Sequence, residues 1–317
     1  MSRISYDTAE TLVYDPVGAN RNATRSALYA LGFRRIETVA TLESFNEYVI
    51  RRPPDLAVCE AMGAEDHLCD TIQNLRHGLN AYNPFLVVVV TAWENHHSLV
   101  SRVLNSGADD LLLRPFSTST LEARIRTHVE RRKGFVITSD YIGPDRRRDR
   151  VRPSPTELFH PPNSLKMKVK ERLSAEEAAQ RIDTELKTAR ETLTAEKLRR
   201  DAFQICVLWR LIQEREPKGG KAEHADLSRL GEYARAISRR CRDTVFESAM
   251  EWCDALLSAL DGLELGVDRN ASMHLLGHAA LSLGQVFSPD KTIDENLAEI
   301  DATVGKIRAR NKVAVAS

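Results

Sequence analysis

The 317-residue sequence has no excess of either charge: 45 Lys and Arg stand against 45 Asp and Glu. A balanced chain is drawn to neither nucleic acid nor an anionic membrane as a whole, although a local patch can still act. Long apolar runs are also missing. The longest, Phe85 to Trp93, is nine residues and is interrupted by Thr91, whereas a membrane-spanning helix needs about 20. The opening residues MSRISYDTAE contain no apolar signal core. Cysteine is sparse, odd in number and without CxxC spacing: Cys59, Cys69, Cys206, Cys241 and Cys253. That usage fits reduced structural thiols in a cytoplasmic protein rather than a disulfide framework. Proline is absent between Pro162 and Pro217, which leaves that stretch free to form long helices.

What is present is an alternation. Residues 11–15, 35–40, 55–60, 85–91 and 110–114 are short β-rich runs. Between and after them lie amphipathic segments at 20–31, 42–51, 66–77, 95–105 and 119–132. Such alternation predicts an α/β fold with a doubly wound, five-stranded parallel sheet. The run FLVVVVT is apolar at every residue but its last, as expected of a strand covered on both faces. Ligand crevices in such folds lie beyond the carboxyl ends of the strands. Asp15, Glu60, Thr91 and Arg114 are therefore expected along one rim.

Composition changes after residue 130. Between positions 131 and 152 there are eight Lys or Arg and three Asp, followed by Pro153, Pro155, Pro161 and Pro162. Residues 133–163 are therefore expected to form a basic, proline-rich linker. Helix formers dominate from Ser164, predicting an all-α domain over 164–317: a long helix across 164–213, then helices at 226–263, 270–283 and 293–310 in an antiparallel bundle. Ile182, Leu186, Ala189 and Leu193 are spaced four, three and four apart, a short coiled-coil seam. Lys, Arg and Glu flank this stripe, so pairing with a second copy into a parallel homodimer is the favoured expectation, and packing inside the bundle is the alternative.

Residues 9–132 resemble the receiver domains of two-component response regulators (the CheY-like family). The stretches that carry the likeness are VYDP…R (13–21), PDLAVCEAMG (54–63), VVVVTAW (87–93) and SGADDLLLRPF (106–116). The resemblance implies a flavodoxin-like strand order, 2-1-3-4-5. It also implies a site in which acidic residues after the first strand hold a divalent cation and an aspartate after the third accepts phosphate from a histidine kinase. A hydroxyl after the fourth strand and a lysine after the fifth bind the phosphoryl group, and an aromatic residue on the fifth strand acts as a switch.

Position by position, this chain departs from that pattern. Asp15 matches the first acid, but Pro16 replaces the second, which puts Mg²⁺ binding in doubt and implies no cofactor. Glu60 replaces the phosphoacceptor aspartate, and its extra methylene moves the carboxylate outward by about 1.5 Å. Thr91 matches the hydroxyl, Arg114 replaces the lysine, and Leu111 stands at the switch position. Three expectations remain open: a Glu60–Arg114 pair fixing one state without phosphate, an eroded and merely solvated rim, and residual phosphorylation.

Two further stretches are candidates for function. Arg146, Arg147, Arg148 and Arg150 form a basic knot that reads as a linker docking on an acidic surface or, less favourably, as a nucleic-acid arm. His274, followed two residues later by Leu276, faintly resembles a phosphotransfer histidine. Gly277 and His278 stand where that family has Lys-Gly, and the competing expectation is a histidine at a helix interface. The chain as a whole reads as a non-catalytic, bacterial, cytoplasmic signalling protein that binds a protein partner through its helical domain, with a histidine kinase as a possible second partner. An ordinary phosphorelay member is the alternative.

Overall fold

In the computed structural model the described residues are 4–63, 65–78, 82–147, 158–170, 173, 175–213, 221–242, 244–266 and 268–316. The chain divides into two compact units, Met1–Glu191 and Thr192–Ser317. The first is built on five parallel strands: β1 (Glu10–Tyr14), β2 (Arg35–Val39), β3 (Leu56–Glu60), β4 (Val87–Ala92) and β5 (Asp110–Leu113). Their order is β2-β1-β3-β4-β5, the order that the receiver resemblance implies for the doubly wound sheet that the alternation predicts. Successive strand residues point to opposite faces, so each strand feeds two cores. Leu12, Ala57, Cys59, Val88 and Val90 pack with α2 (Leu42–Arg51), α3 (Glu65–Arg76) and α4 (His97–Asn105). Val13, Val58, Val87 and Val89 pack with α1 (Gly18–Ala30) and α5 (Thr118–Arg131). Side-chain caps start α2, α4 and α5: Thr41 accepts from the Ser44 N–H, His96 from the Leu99 N–H and Ser117 from the Thr120 N–H.

The first unit does not stop at residue 132. The segment expected as linker contains a hairpin, β6 (Phe135–Ile137) paired antiparallel with β7 (Ile142–Pro144), and Phe159 bridges to Phe135. Phe135, Ile137 and Ile142 are buried. Gly107, at φ +89°, lets the hairpin approach, because a Cβ there would lie 2.3 Å from the Ile142 carbonyl oxygen. Three-residue strands are too short for a periodic signal to register, which is why charge and proline dominate the sequence pattern here.

Helix α6 (Ser164–Lys170) also belongs to this unit: Leu165 and Val169 join the core with α1 and α5. Lys168 Nζ donates to Asp55 Oδ2 at 2.7 Å. The helix expected across 164–213 is thus two helices, α6 and α7 (Ala175–Gln213).

The 39-residue α7 runs through the division between the units. The second unit is helical: the end of α7, then α8 (Lys221–Cys241), α9 (Met250–Glu264), α10 (Arg269–Phe287) and α11 (Ile293–Ala316). Ile205, Leu230, Ile237, Leu256, Leu276, Leu283 and Ile300 form its core. The expected single helix over 226–263 is interrupted. Thr244 donates its hydroxyl to the Cys241 carbonyl at 2.6 Å and accepts from the Phe246 N–H at 3.2 Å, so a side chain takes over backbone groups and the helix ends. In the seam, Leu186, Ala189 and Leu193 are buried in the single chain and Ile182 is half-buried. Among the described residues, no helix is long and apolar enough to cross a membrane.

Candidate functional site

Parallel pairing places the carboxyl ends of β1, β3, β4 and β5 side by side, with Glu60 in register with Thr91. Asp15 follows β1 and Arg114 follows β5, so all four rim residues converge. Arg114 Nε donates to Glu60 Oε2 at 2.6 Å, and the Thr91 hydroxyl donates to the same oxygen at 2.7 Å. The other Glu60 oxygen, Oε1, accepts from the Met62 N–H at 3.1 Å. Arg114 Nη2 donates to Asp15 Oδ2 at 3.2 Å and to Thr24 Oγ1 at 2.9 Å. Asp15 Oδ1 accepts from the Val17 N–H at 2.8 Å, and Arg21 Nη1 donates to the Asp15 carbonyl at 2.6 Å. Side-chain exposure is 0% for Asp15 and Glu60 and 8% for Arg114. These charges are out of water and cannot be a solvated surface cluster.

Burial dominates the electrostatics of Asp15. Desolvation pushes its carboxyl above the usual value, against the Val17 N–H and the Arg114 guanidinium, which act to lower it. The guanidinium meets two carboxylates at once, a geometry its planar fork permits and a lysine ammonium does not.

A divalent cation does not fit this arrangement. Both Asp15 oxygens and both Glu60 oxygens already accept hydrogen bonds, Pro16 offers no side-chain oxygen, and the Arg114 guanidinium lies between the two carboxylates. Among the described residues no group of three or more His, Cys, Asp or Glu is placed to hold a metal ion.

Thr24 was not singled out by the sequence. It is buried on α1 four residues before buried Leu28, so a polar residue on the apolar stripe was the available signal. Leu111, at the switch position, is half-buried against the α2–α4 side of the sheet.

The other candidates lie elsewhere. In the basic knot, Arg146 Nη2 donates to the Ala108 carbonyl, and Arg147 Nε pairs with Asp145 Oδ1 at 2.8 Å. Arg148 and Arg150 lie outside the described residues. Arg146 thus turns onto its own unit, beside a second buried charge cluster at the opposite end of the sheet. There, fully buried Arg76 donates to Asp109 Oδ2 at 2.8 Å and to the carbonyls of Pro84, Leu86 and Gly107. Arg132 grips both Asp109 oxygens, at 2.8 and 3.0 Å. Both guanidinium carbons lie over the Phe135 ring, at 5.3 and 5.0 Å. Burial pulls the Arg76 guanidinium down to about 10, still charged at neutral pH. His274 is exposed on α10 rather than at a helix interface, while Leu276 is buried and Gly277 abuts Trp209.

No family model matches the chain, and no curated protein matches it. Among solved structures, the chain is similar to a signal receiver domain of a two-component histidine kinase from Clostridium thermocellum, at 17% identity over 38% of this chain and 98% of that one, with a TM-score of 0.35. It is also similar to a response regulator from Thermotoga maritima, at 22% identity over 38% of this chain and 96% of that one, with a TM-score of 0.33. A two-component response regulator from Clostridium difficile matches at 20% identity over 39% of this chain and 97% of that one, with a TM-score of 0.35.

Proposed function

We propose that the chain is a two-component signalling protein whose receiver-like unit is held in one state by its own side chains and does not use phosphate. In this reading Asp15, Glu60, Thr91 and Arg114 are a degenerate phosphoacceptor pocket, and Glu60 stands in for the charged product of phosphorylation. One observation carries it: the Thr91 hydroxyl and Arg114, which match the groups that would receive a phosphoryl oxygen in the family, both donate to Glu60 Oε2. A phosphoryl donor would have to break both hydrogen bonds and displace a buried ion pair before in-line attack could begin. Output then falls to protein binding by the helical unit, which exposes Val245, Leu265, Leu275 and Ile293.

The test is to treat the full-length protein with acetyl phosphate, and separately with beryllium fluoride, and to follow intact mass and the amide spectrum. No added phosphate and no rim shifts are expected. Wild-type labelling that disappears in Glu60→Gln would overturn the reading.

A further inference from the structure

A groove of about 470 Å³ opens beside the rim in the first unit, between α1, the loop after β4 and the start of α5. Its volume lies in the range of small-molecule sites, roughly 300–1,000 Å³. Trp93 and Phe116 line it together with the small α1 residues Ala23 and Ala27, and Arg114 is its only charged lining residue. Trp93 is 47% exposed, an indole left open to the groove.

Arg114 is the unusual element. Its side chain is 92% buried, and Nε and Nη2 are committed to Glu60, Asp15 and Thr24. Nη1 has no hydrogen-bond partner among the described residues. A guanidinium nitrogen carries two N–H donors; those of Nη1 are not among the fully buried unpartnered groups, so they are open to whatever enters the groove, where a ligand oxygen can replace water. The groove therefore offers open donors at its floor, an aromatic face at its wall and no competing carboxylate on its lining. Glu60 and Asp15 already neutralise the charge on Arg114, so an uncharged acceptor suits Nη1 at least as well as a full anion.

The geometry points to a ligand site for a small planar aromatic molecule bearing one acceptor oxygen, a carbonyl or carboxylate: the oxygen meets Arg114 Nη1, and the ring lies against Trp93 and Phe116. Thr24, which both lines the groove and accepts from Arg114 Nη2, ties occupancy to the rim. A ligand that draws Arg114 toward the groove weakens its hold on Glu60 and Asp15. This input is independent of phosphate, and it rests on the free nitrogen of Arg114 rather than on what Glu60 imitates. Labelling with acetyl phosphate tests that other reading, and ligand titration tests this one.

Benzamide and benzoate serve as probes, with benzylamine, which has no acceptor, as the control. The readout is the indole N–H resonance of Trp93 in the full-length protein, assigned with Trp93→Phe and read against those of Trp209 and Trp252. Benzamide is expected to shift Trp93 alone, saturably, with the millimolar half-saturation typical of a ligand of about nine heavy atoms. Benzoate is expected to bind no more tightly, and benzylamine at least tenfold more weakly. Ala23 is exposed on α1, so Ala23→Leu fills the groove without entering the core and is expected to abolish the shift while leaving the rest of the spectrum intact. Absence of a saturable Trp93 shift, persistence of the shift in Ala23→Leu, or equal binding of benzylamine would overturn the proposal.

Discussion

Replacing Arg114 by alanine removes the one cation between two carboxylates that have no exposure of their own. An exposed ion pair would lose at most about 1 kcal/mol, whereas deleting one partner of a buried pair costs about 3–5 kcal/mol, because the remaining charge stays out of water. The second figure applies: Arg114 is 8% exposed, and three hydrogen bonds, to Glu60, Asp15 and Thr24, are lost with it. Hydrogen exchange at the amides of β3 and β4, the fully buried centre of the sheet, reads this directly. At 1.4 kcal/mol per decade, protection there falls between about 100-fold and about 4,000-fold. The deficit also depends on pH. Burial already raises the Asp15 carboxyl, and losing the guanidinium raises it further. A raised folded-state carboxyl favours the fold when protonated, so the variant recovers stability as pH falls through the raised folded value towards the ordinary carboxylate one. Adding Glu60→Gln relieves part of the loss, with a coupling energy in the upper part of the usual range of about 0.5–3 kcal/mol. A cost under 1 kcal/mol that is flat with pH would show the rim to be solvated and would refute the buried clamp.

Other outcomes follow from the same accounting. Asp109→Asn destabilises the first unit at neutral pH. Burial would raise this carboxyl, but Arg132 and Arg76 outweigh it and hold it below 3.8. The stabilisation is therefore complete above that value and lost as pH falls through the lower folded one, so wild type and variant converge in acid denaturation below it. Phe135→Ala empties a fully buried site beneath two guanidinium groups and costs about 3–5 kcal/mol, read as a drop in urea midpoint without a change in slope. Gly277→Ala places a Cβ 2.7 Å from Trp209 Nε1 and lowers the stability of the helical unit by about 1–3 kcal/mol; Trp209 fluorescence during urea unfolding reports it.

The sheet was readable because β3 and β4 are apolar runs of strand length broken only by Glu60 and Thr91 near their carboxyl ends, and the helices around them are amphipathic. The rim was readable because the strand ends, taken with the strand order that the receiver resemblance implies, put Asp15, Glu60, Thr91 and Arg114 along one edge. What escaped was irregular or non-local. Nothing in the sequence near Arg76 distinguishes an arginine that ends α3 in solvent, where it would favour the helix dipole, from one buried under a hairpin. Only the long-range meeting of Arg76, Asp109, Arg132 and Phe135 decides that. The hairpin itself is six strand residues in a stretch dominated by charge and proline. The interruption at Thr244 was missed because a hydroxyl can end a helix as well as decorate one, and the helix formers on both sides of it carried the pattern through.

The staple formed by Arg76 also bears on synthesis. Its guanidinium is covered by Phe135, which emerges from the ribosome only after all five parallel strands and their helices. Folding of nascent domains proceeds as units while the chain lengthens. Once the chain has emerged through the end of α5, the parallel sheet can form with the Arg76 side chain still uncovered by Phe135, and the hairpin that emerges next, well ahead of the helical unit, acts as the closing latch.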